Sequence, residues 1–264
     1  MAAPAVTITP ARRRISLPPW FGSVIGVVVL LVAWQIAGWI GVFHDTVPPP
    51  TRIVQQMFDD GWSFYSTNIS TTMYEAAWGY FWGNLLAVGL ALVVIVIPFS
   101  ERPLMQLGIA SYCVPIIAIG PILQITFDGP TPKIILSAMS VFFITLIGTL
   151  VGLRSADKTS LDVIRAYGGG RVRELTKVRL RAMLPSLFAS LRIAAPAAIL
   201  GAIIGEYLGG DSGLGVAMIN SEQALEISRT WAIALIATAL AGLAYALTAL
   251  VGRMLTPWAP RRRA

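Results

Sequence analysis

Long apolar stretches alternate with short polar segments along the chain. Five of them carry no charge at all: Trp20 to Phe43, Ala76 to Ser100, Pro103 to Phe127, Ile134 to Leu153 and Thr230 to Gly252. A sixth, Ala182 to Gly205, contains only Arg192, near enough to its start for the guanidinium to snorkel to an interface. A helix needs about 20 residues to cross about 30 Å of hydrocarbon, so the pattern predicts six transmembrane helices.

The segments between the runs carry their own signals. Pro48-Pro49-Pro50-Thr51 precedes Ile53, Val54, Met57 and Phe58 at helical spacing, and Asp59-Asp60-Gly61 closes the segment, which predicts a short amphipathic helix on the outer face. The second run opens on Trp78, Tyr80, Phe81 and Trp82, with Glu75 just ahead. Glu75 is either a headgroup carboxylate beside an aromatic belt or a group facing the pathway. Pro115 and Pro121, with Gly108 and Gly120, interrupt helical hydrogen bonding in the third run, as either a packing kink or irregular backbone lining a cavity. Before the sixth span, Gly209-Gly210-Asp211-Ser212-Gly213-Leu214-Gly215 leads into a stretch of about ten residues from Val216 to Leu225, too short to cross a bilayer. It is read either as dipping into the outer mouth, with Glu206, Gly213, Leu214 and Gly215 as gate candidates, or as a surface loop.

Composition agrees with the pattern: 56% of residues are apolar and 12% charged, about half the charged share of a soluble domain. The distribution of basic residues sets orientation. With the N-terminus inside, Arg12 to Arg14, Arg102, the eight bases from Arg154 to Arg181, Arg253 and Arg261 to Arg263 make 16 cytoplasmic positive charges, against three outside at Arg52, Lys133 and Arg229. Both termini are therefore expected in the cytoplasm. Residues 1–19 are accordingly expected to form a cytoplasmic N-terminal tail, 20–258 a single transmembrane domain with an inner loop at 154–181, and 259–264 a basic cytoplasmic tail.

The net charge of +7 comes from bases at membrane edges, where anionic lipid accounts for them, so no nucleic-acid partner is expected. Arg12-Arg13-Arg14 before an apolar run also resembles a secretory signal, but the run is about 24 residues long without a clear small-residue cleavage site, which favours an uncleaved first span. Cys113 is the single cysteine and is read as packing within the third span.

The inner loop from Arg154 to Arg181 is too charged for lipid. Ser160 is positioned to cap a helix running to Tyr167, Gly168-Gly169-Gly170 to end it, and a second helix from Arg171 sets Val172, Leu175 and Val178 on one face. Pro185 would then fall near the first turn of the fifth span. Such a pair of helices either rests on anionic lipid or docks a soluble partner.

Taken together, these segments resemble the permease subunits of binding-protein-dependent ABC importers, most closely the nitrate, sulfonate and taurine branch, over approximately Trp20 to Trp258. The likeness rests on the Pro-Pro-Thr segment, the Val-Pro-Ile and Gly-Pro-Ile run of span three, Gly152-Leu153-Arg154-Ser155, Leu191-Arg192-Ile193-Ala194, Gly205-Glu206-Tyr207-Leu208-Gly209 and Ser212-Gly213-Leu214-Gly215. The resemblance implies that the inner loop is the coupling element, whose first helix sits in a cleft of a separate ATPase subunit. Asp162 takes the place of the family's acidic residue, Val163-Ile164 of two alanines and Gly168 of the glycine, while Leu184-Pro185 matches a later Leu-Pro. Arg165, Ala166, Tyr167, Gly169 and Arg171 complete the expected coupling set. Glu75 stands where an arginine is common, and Leu180-Arg181 where another Leu-Pro is usual. The implied partners are two copies of an ABC ATPase, a second permease that is either this same chain or a different one, an extracytoplasmic solute-binding protein and membrane lipid.

The chain has no Gly-x-x-x-x-Gly-Lys-Ser/Thr sequence, so ATP and Mg²⁺ are expected on the partner subunit and no cofactor or metal on this one. An ion-driven transporter would need a relay of carboxylates through the spans, and only Glu75 and Glu206 come near hydrocarbon. An enzyme would need clustered reactive side chains, and the single His44 stands beside Asp45 in an outer loop. A membrane scaffold without a transport role is the remaining alternative.

Overall fold

The computed structural model describes residues 19–41 and 46–258, which form two compact units, one reaching to Arg52 and one beginning at Ile53. The expected tails, with Arg12 to Arg14 and Arg261 to Arg263, and the pair His44 and Asp45 lie outside the described residues.

In the first unit, α1 (Pro19–Ile40) is apolar on every side, and Val27 and Leu30 are 60% and 65% exposed. A helix that is hydrophobic all round is at home in lipid. At its end, Gln35 Nε2 donates to Thr51 Oγ1 at 2.9 Å and the Thr51 N–H donates to Gln35 Oε1 at 3.3 Å, fastening the Pro48–Thr51 turn.

The second unit is built around two helices, α5 (Thr131–Arg154) and α8 (Leu180–Gly209). Their closeness follows from small residues four apart. A Cβ on Gly201 would lie 2.8 Å from the Ser137 Cα, one on Gly205 2.9 Å from the Lys133 Cα, and one on Gly152 2.8 Å from the Met183 carbonyl oxygen. Gly79 and Gly83 give α2 (Pro50–Val96) the same access to Ser137 and Ala138. Small-xxx-small faces let backbones approach where lipid supplies no hydrophobic drive. The contact is reinforced by Ser137 Oγ donating to the Ala198 carbonyl at 2.8 Å, Ser186 Oγ to the Gly148 carbonyl at 2.9 Å and Thr145 Oγ1 to Asn84 Oδ1 at 2.6 Å. Around these bonds pack Ala87, Val94, Leu146, Leu150, Leu153 and Met183 toward one end, and Ala76, Val141, Ala194 and Ile199 further along.

The remaining elements are α3 (Glu101–Cys113), α4 (Ile116–Thr126), α6 (Lys158–Ala166), α7 (Arg171–Glu174), α9 (Leu214–Gln223) and α10 (Ile227–Leu255). Among the described residues four helices are long and apolar enough to cross a bilayer, and five if α3 and α4, bent by 93°, count as one broken span. The protein is an all-helical multi-pass membrane protein.

The structure differs from the sequence expectations at several places. The break in the third run falls at Val114-Pro115, whereas Pro121 sits within α4. The helix after the proline run ends at Gly61 as expected, in a non-helical break (φ 76°, ψ 157°), but a second helix starts directly after it, so residues 62–75 extend the second span. Asp157, not Ser160, caps α6, its Oδ2 accepting the Ser160 N–H at 2.9 Å. Hydrogen bonds from the Ser160 N–H and hydroxyl, with a smaller contribution from the Thr159 N–H, hold the Asp157 carboxyl below the usual carboxylate range. Pro185 lies well inside a helix rather than at its first turn, because α7 runs through a π-helical stretch, Leu175–Arg179, straight into α8. Cys113 is exposed on the chain rather than packed.

Candidate functional site

Two polar constellations stand at opposite ends of α5 and α8. At the end where α5 leaves for the charged loop, α6 carries its only buried residue, Leu161, on one side, while Asp162, Val163, Arg165, Ala166 and Tyr167 are exposed, Tyr167 to 85%. The chain then turns back: the Tyr167 N–H bonds the Val163 carbonyl at 3.2 Å, that of Gly168 the Arg165 carbonyl at 2.9 Å and that of Gly169 the Ile164 carbonyl at 2.8 Å. Gly168 makes this possible with φ of +74°, a left-handed backbone that an L side chain strains to adopt.

Charged side chains tie this exposed helix to the bundle. Arg165 Nε donates to Glu174 Oε1 at 2.7 Å and its Nη1 to Asp162 Oδ1 at 3.2 Å. Arg179 Nη2 reaches Glu174 Oε2 at 3.2 Å, and its Nη1 donates to the Leu153 carbonyl at 3.1 Å, at the end of α5 where a cation complements the helix dipole. Arg154 pairs with Glu101 at 2.5 Å, adding α3. Of the sequence-selected coupling residues, Arg171 is exposed, Gly169 half-buried against Ile164, and Leu184 and Pro185 half-buried in α8.

Glu174 is the pivot of this network and was not selected from the sequence. Its nearest signal is spacing, since Arg165 and Arg179 flank it by nine and five residues. Hydrogen bonding from Arg165 outweighs desolvation and, with Arg179, holds the Glu174 carboxyl below its ordinary value. A depressed folded-state pKa contributes stability above the unfolded value, about 4.3, and that stability is lost as pH falls through the folded value. Hydrogen exchange across residues 158–179 is accordingly expected to accelerate below about pH 4 in the native chain. In Glu174→Gln the loop should exchange faster already at pH 7 and lose most of this acid dependence; identical profiles would remove Glu174 from the role of pivot.

At the far end, the two sequence-selected carboxylates meet. Glu206 is fully buried: Thr72 Oγ1 donates to its Oε1 at 2.6 Å and the Gly215 N–H donates to its Oε2 at 2.7 Å. Thr72 Oγ1 in turn accepts the Leu214 N–H at 2.9 Å, and Asn68 Oδ1 accepts the Gly213 N–H at 3.1 Å. The start of α9 is thus capped by side chains of other helices, which satisfies donors that a helix start leaves open. Gly213, at φ of +117°, lies so close that a Cβ there would fall on the Glu206 carboxyl.

Glu75 is 3% exposed beside Glu206, so the headgroup alternative is replaced by burial in the bundle. Lys133, 6% exposed, donates from Nζ to the Gly129 carbonyl at 2.9 Å. Pro115 and Pro121, both exposed at the bent pair, are not part of this cluster. Sequence reasoning missed Asn68 and Thr72; with Glu75 they recur at helical spacing, a signal legible once residues 62–75 are read as helix. A second missed contact joins α10 to the kink at Gly61: Arg229 Nη2 meets Asp60 Oδ1 at 2.6 Å, and Tyr65 Oη donates to Asp60 Oδ2 at 2.6 Å.

The described residues thus form a helical core with a charged helical loop at one end and a short helix, capped by side chains of its neighbours, at the other. The chain belongs to the family of binding-protein-dependent transport system inner membrane components, whose profile matches residues 83–261. It is 31% identical over 210 residues to a Haemophilus influenzae protein named as an ABC transporter permease, covering 79% of this chain and 85% of the relative. It is 30% identical over 265 residues to Bacillus subtilis SsuC, named for aliphatic sulfonates transport, with 97% and 93% covered. Its fold is similar to a chain of the MetNI methionine ABC transporter in an inward-facing conformation, with a TM-score of 0.64 and 14% identity, over 76% of this chain and all of the other. As a member of this family the chain is the permease subunit of an ABC importer.

Proposed function

We propose that α6 is the coupling helix of this importer and that the Arg165–Glu174–Arg179 chain is its lever. The observation that carries the reading is the asymmetry of α6: an outward face of Asp162, Val163, Ala166 and Tyr167 without partners in its own bundle core, and a tether that ends on the last carbonyls of α5. A solute-binding protein docks at the far end, two ATPase subunits close around ATP and Mg²⁺, and the closure is passed through α6 and the Glu174 pivot to α5 and α8. Alternating access follows, with cargo released inward after hydrolysis. ATP chemistry resides on the partner; this chain supplies pathway and linkage.

The topology that fits this cycle has six spans, α1 first and the bent α3–α4 pair third, with both termini and the loop at 154–181 in the cytoplasm of a bacterial cell. A second copy of this chain is the favoured partner across the pathway, a different permease the alternative. Similarity to SsuC makes small polar or anionic solutes the starting class of cargo.

The test is copurification with the cognate ATPase subunit and measurement of ATP turnover for native chain and Gly168→Val. The side chain has open space around it, so its effect is the backbone strain of a β-branched residue at positive φ, roughly 1–2 kcal/mol, which displaces Tyr167. Loss of stimulated turnover with an intact membrane domain is the expected result. Association and turnover indifferent to the substitution would sink the coupling assignment.

A further inference from the structure

Three contacts fix the register of the seam between α8 and α10. The Arg181 guanidinium lies over the Trp258 ring at 5.4 Å, a Cβ on Gly252 would fall 3.0 Å from the Phe188 Cβ, and the Arg192 guanidinium lies over the Tyr245 ring at 6.0 Å. The helices are therefore antiparallel, and Arg253 stands at a depth between Arg181 and Arg192. Tyr80 closes one flank of the seam from α2, its hydroxyl donating to the Leu191 carbonyl at 3.2 Å, with Thr248 of α10 beside it. At about 100° per residue, Arg192 and Arg253 both turn to the other flank, where each is exposed. Helical Cα–Cβ bonds tilt toward their own N-terminus, so on antiparallel helices those of Arg192 and Arg253 tilt toward each other. About one and a half turns, roughly 8 Å, separate them along the seam, a span that two long guanidinium side chains close around one phosphate.

These arginines have no counter-charge within the chain. Arg192 is the only charge in its apolar run, about three turns beyond Arg181, and a guanidinium at that depth is costly without an anion to meet it. Among the described residues no carboxylate pairs with Arg181, Arg192 or Arg253. The acids of this helix pair, Glu206 in α8 and Glu226 at the start of α10, both stand at the opposite end. Deeper along the Arg253 flank follow Ala249, Ala246 and Gly242, and the space into which a Gly242 Cβ would project is open. A basic rim above a channel of small residues has the form of a lipid, phosphate above and chain below.

We propose that this flank of the α8–α10 seam binds one anionic phospholipid of the leaflet on the side of the charged loop, with its phosphate between Arg192 and Arg253, Arg181 at the outer edge of the headgroup and an acyl chain along Ala249, Ala246 and Gly242. Charge decides the occupant. A second copy of this chain would need a carboxylate to meet the arginines, and those near the loop are committed: Glu101 to Arg154, Asp162 to Arg165, Glu174 to Arg165 and Arg179, and Asp157 to the first turn of α6. An anionic lipid brings a phosphate that guanidinium groups take in bidentate fashion. It neutralises Arg192 inside the apolar layer and clamps α10 to α8. The site does not depend on α6 being the coupling helix.

The test is native mass spectrometry of the permease copurified with its ATPase subunit, titrated with phosphatidylglycerol, with phosphatidylcholine of the same chains and with inorganic phosphate. Phosphatidylglycerol is expected to be retained at least about tenfold more tightly than phosphatidylcholine. Arg192→Gln and Arg253→Gln should each weaken it about fivefold, the share of one base beside an anionic headgroup. Arg102→Gln removes an exposed base outside the seam and should leave retention unchanged. If Arg192→Gln fails to fold, Arg253→Gln, at an exposed position, decides the matter. Equal retention of the two lipids, an equal loss in Arg102→Gln, or displacement of the lipid by inorganic phosphate would each overturn the proposal. So would a disulfide between two copies of Ala246→Cys in a Cys113→Ser background, which would place a second chain on this flank. ATPase association, read in the same spectra, reports separately on the permease reading and stays intact if only the lipid site is wrong.

Discussion

Glu206→Leu is expected to destabilise the membrane domain by on the order of 3 kcal/mol, seen as a fall of roughly 5–10 °C in the unfolding temperature of the purified complex. Leucine matches the volume and apolar surroundings, and on hydrophobicity alone the change should be harmless within a membrane. The opposing effect is the loss of two acceptors at a fully buried position. The Gly215 N–H is left without a partner, and the Thr72 hydroxyl loses the group it donates to, while the left-handed turn at Gly213 loses the surface it is folded against. Each stranded buried donor costs about 1–3 kcal/mol, more than the transfer gain of a leucine already surrounded by lipid-like packing. Glu206→Gln separates the causes. Its amide oxygen can accept from Gly215, and its NH₂ can donate to Thr72, whose hydroxyl rotates, so the loss should be under about 1 kcal/mol. If Leu and Gln behave alike, the carboxylate is not what holds α9.

The same cluster marks how far sequence reading reaches. Span positions were legible because bilayer thickness imposes a length that charge-free runs reveal directly, and α5, α8 and α10 lie where those runs predicted. The short helix after the glycine loop was legible as an element too short to span, because about ten residues follow the turn signals, although the sequence left open whether it dips into the outer mouth or lies on the surface. The partners were not. Glu206 and Gly215 are nine residues apart, but Thr72 is 134 residues away from Glu206, and only the packing of Gly201 and Gly205 on α5 and of Gly79 and Gly83 on the same helix brings them together. Local propensity likewise misplaced the start of α8. Leu-Pro reads as a helix entry, yet Pro185 is tolerated deep in a helix whose backbone is loosened just upstream by the π-helical stretch at Leu175–Arg179. In the loop, three glycines gave the turn, while the Arg165–Glu174–Arg179 bridge depends on how the second helix folds back.

Tyr167→Asp is expected to abolish ATPase association, with at least a tenfold drop in copurified subunit, while leaving the unfolding temperature of the membrane domain unchanged. Tyr167 is 85% exposed and ends a helix whose core contact is Leu161 on another side, so its ring contributes little to this chain's own stability. An exposed tyrosine between an exposed Val163 and an exposed glycine turn is the kind of anchor that dominates interfaces, offering large apolar area at low entropy cost. Aspartate keeps the loop soluble and α6 intact but places an unpaired charge where the partner's cleft must exclude water, a penalty of at least several kcal/mol. The contrast with Glu174→Gln is the informative part. That variant leaves the anchor in place and loosens the lever, so the ATPase should still bind while stimulated turnover falls. Should Tyr167→Asp lower thermal stability as much as association, Tyr167 would be a packing residue and the outward face of α6 would have to be assigned elsewhere.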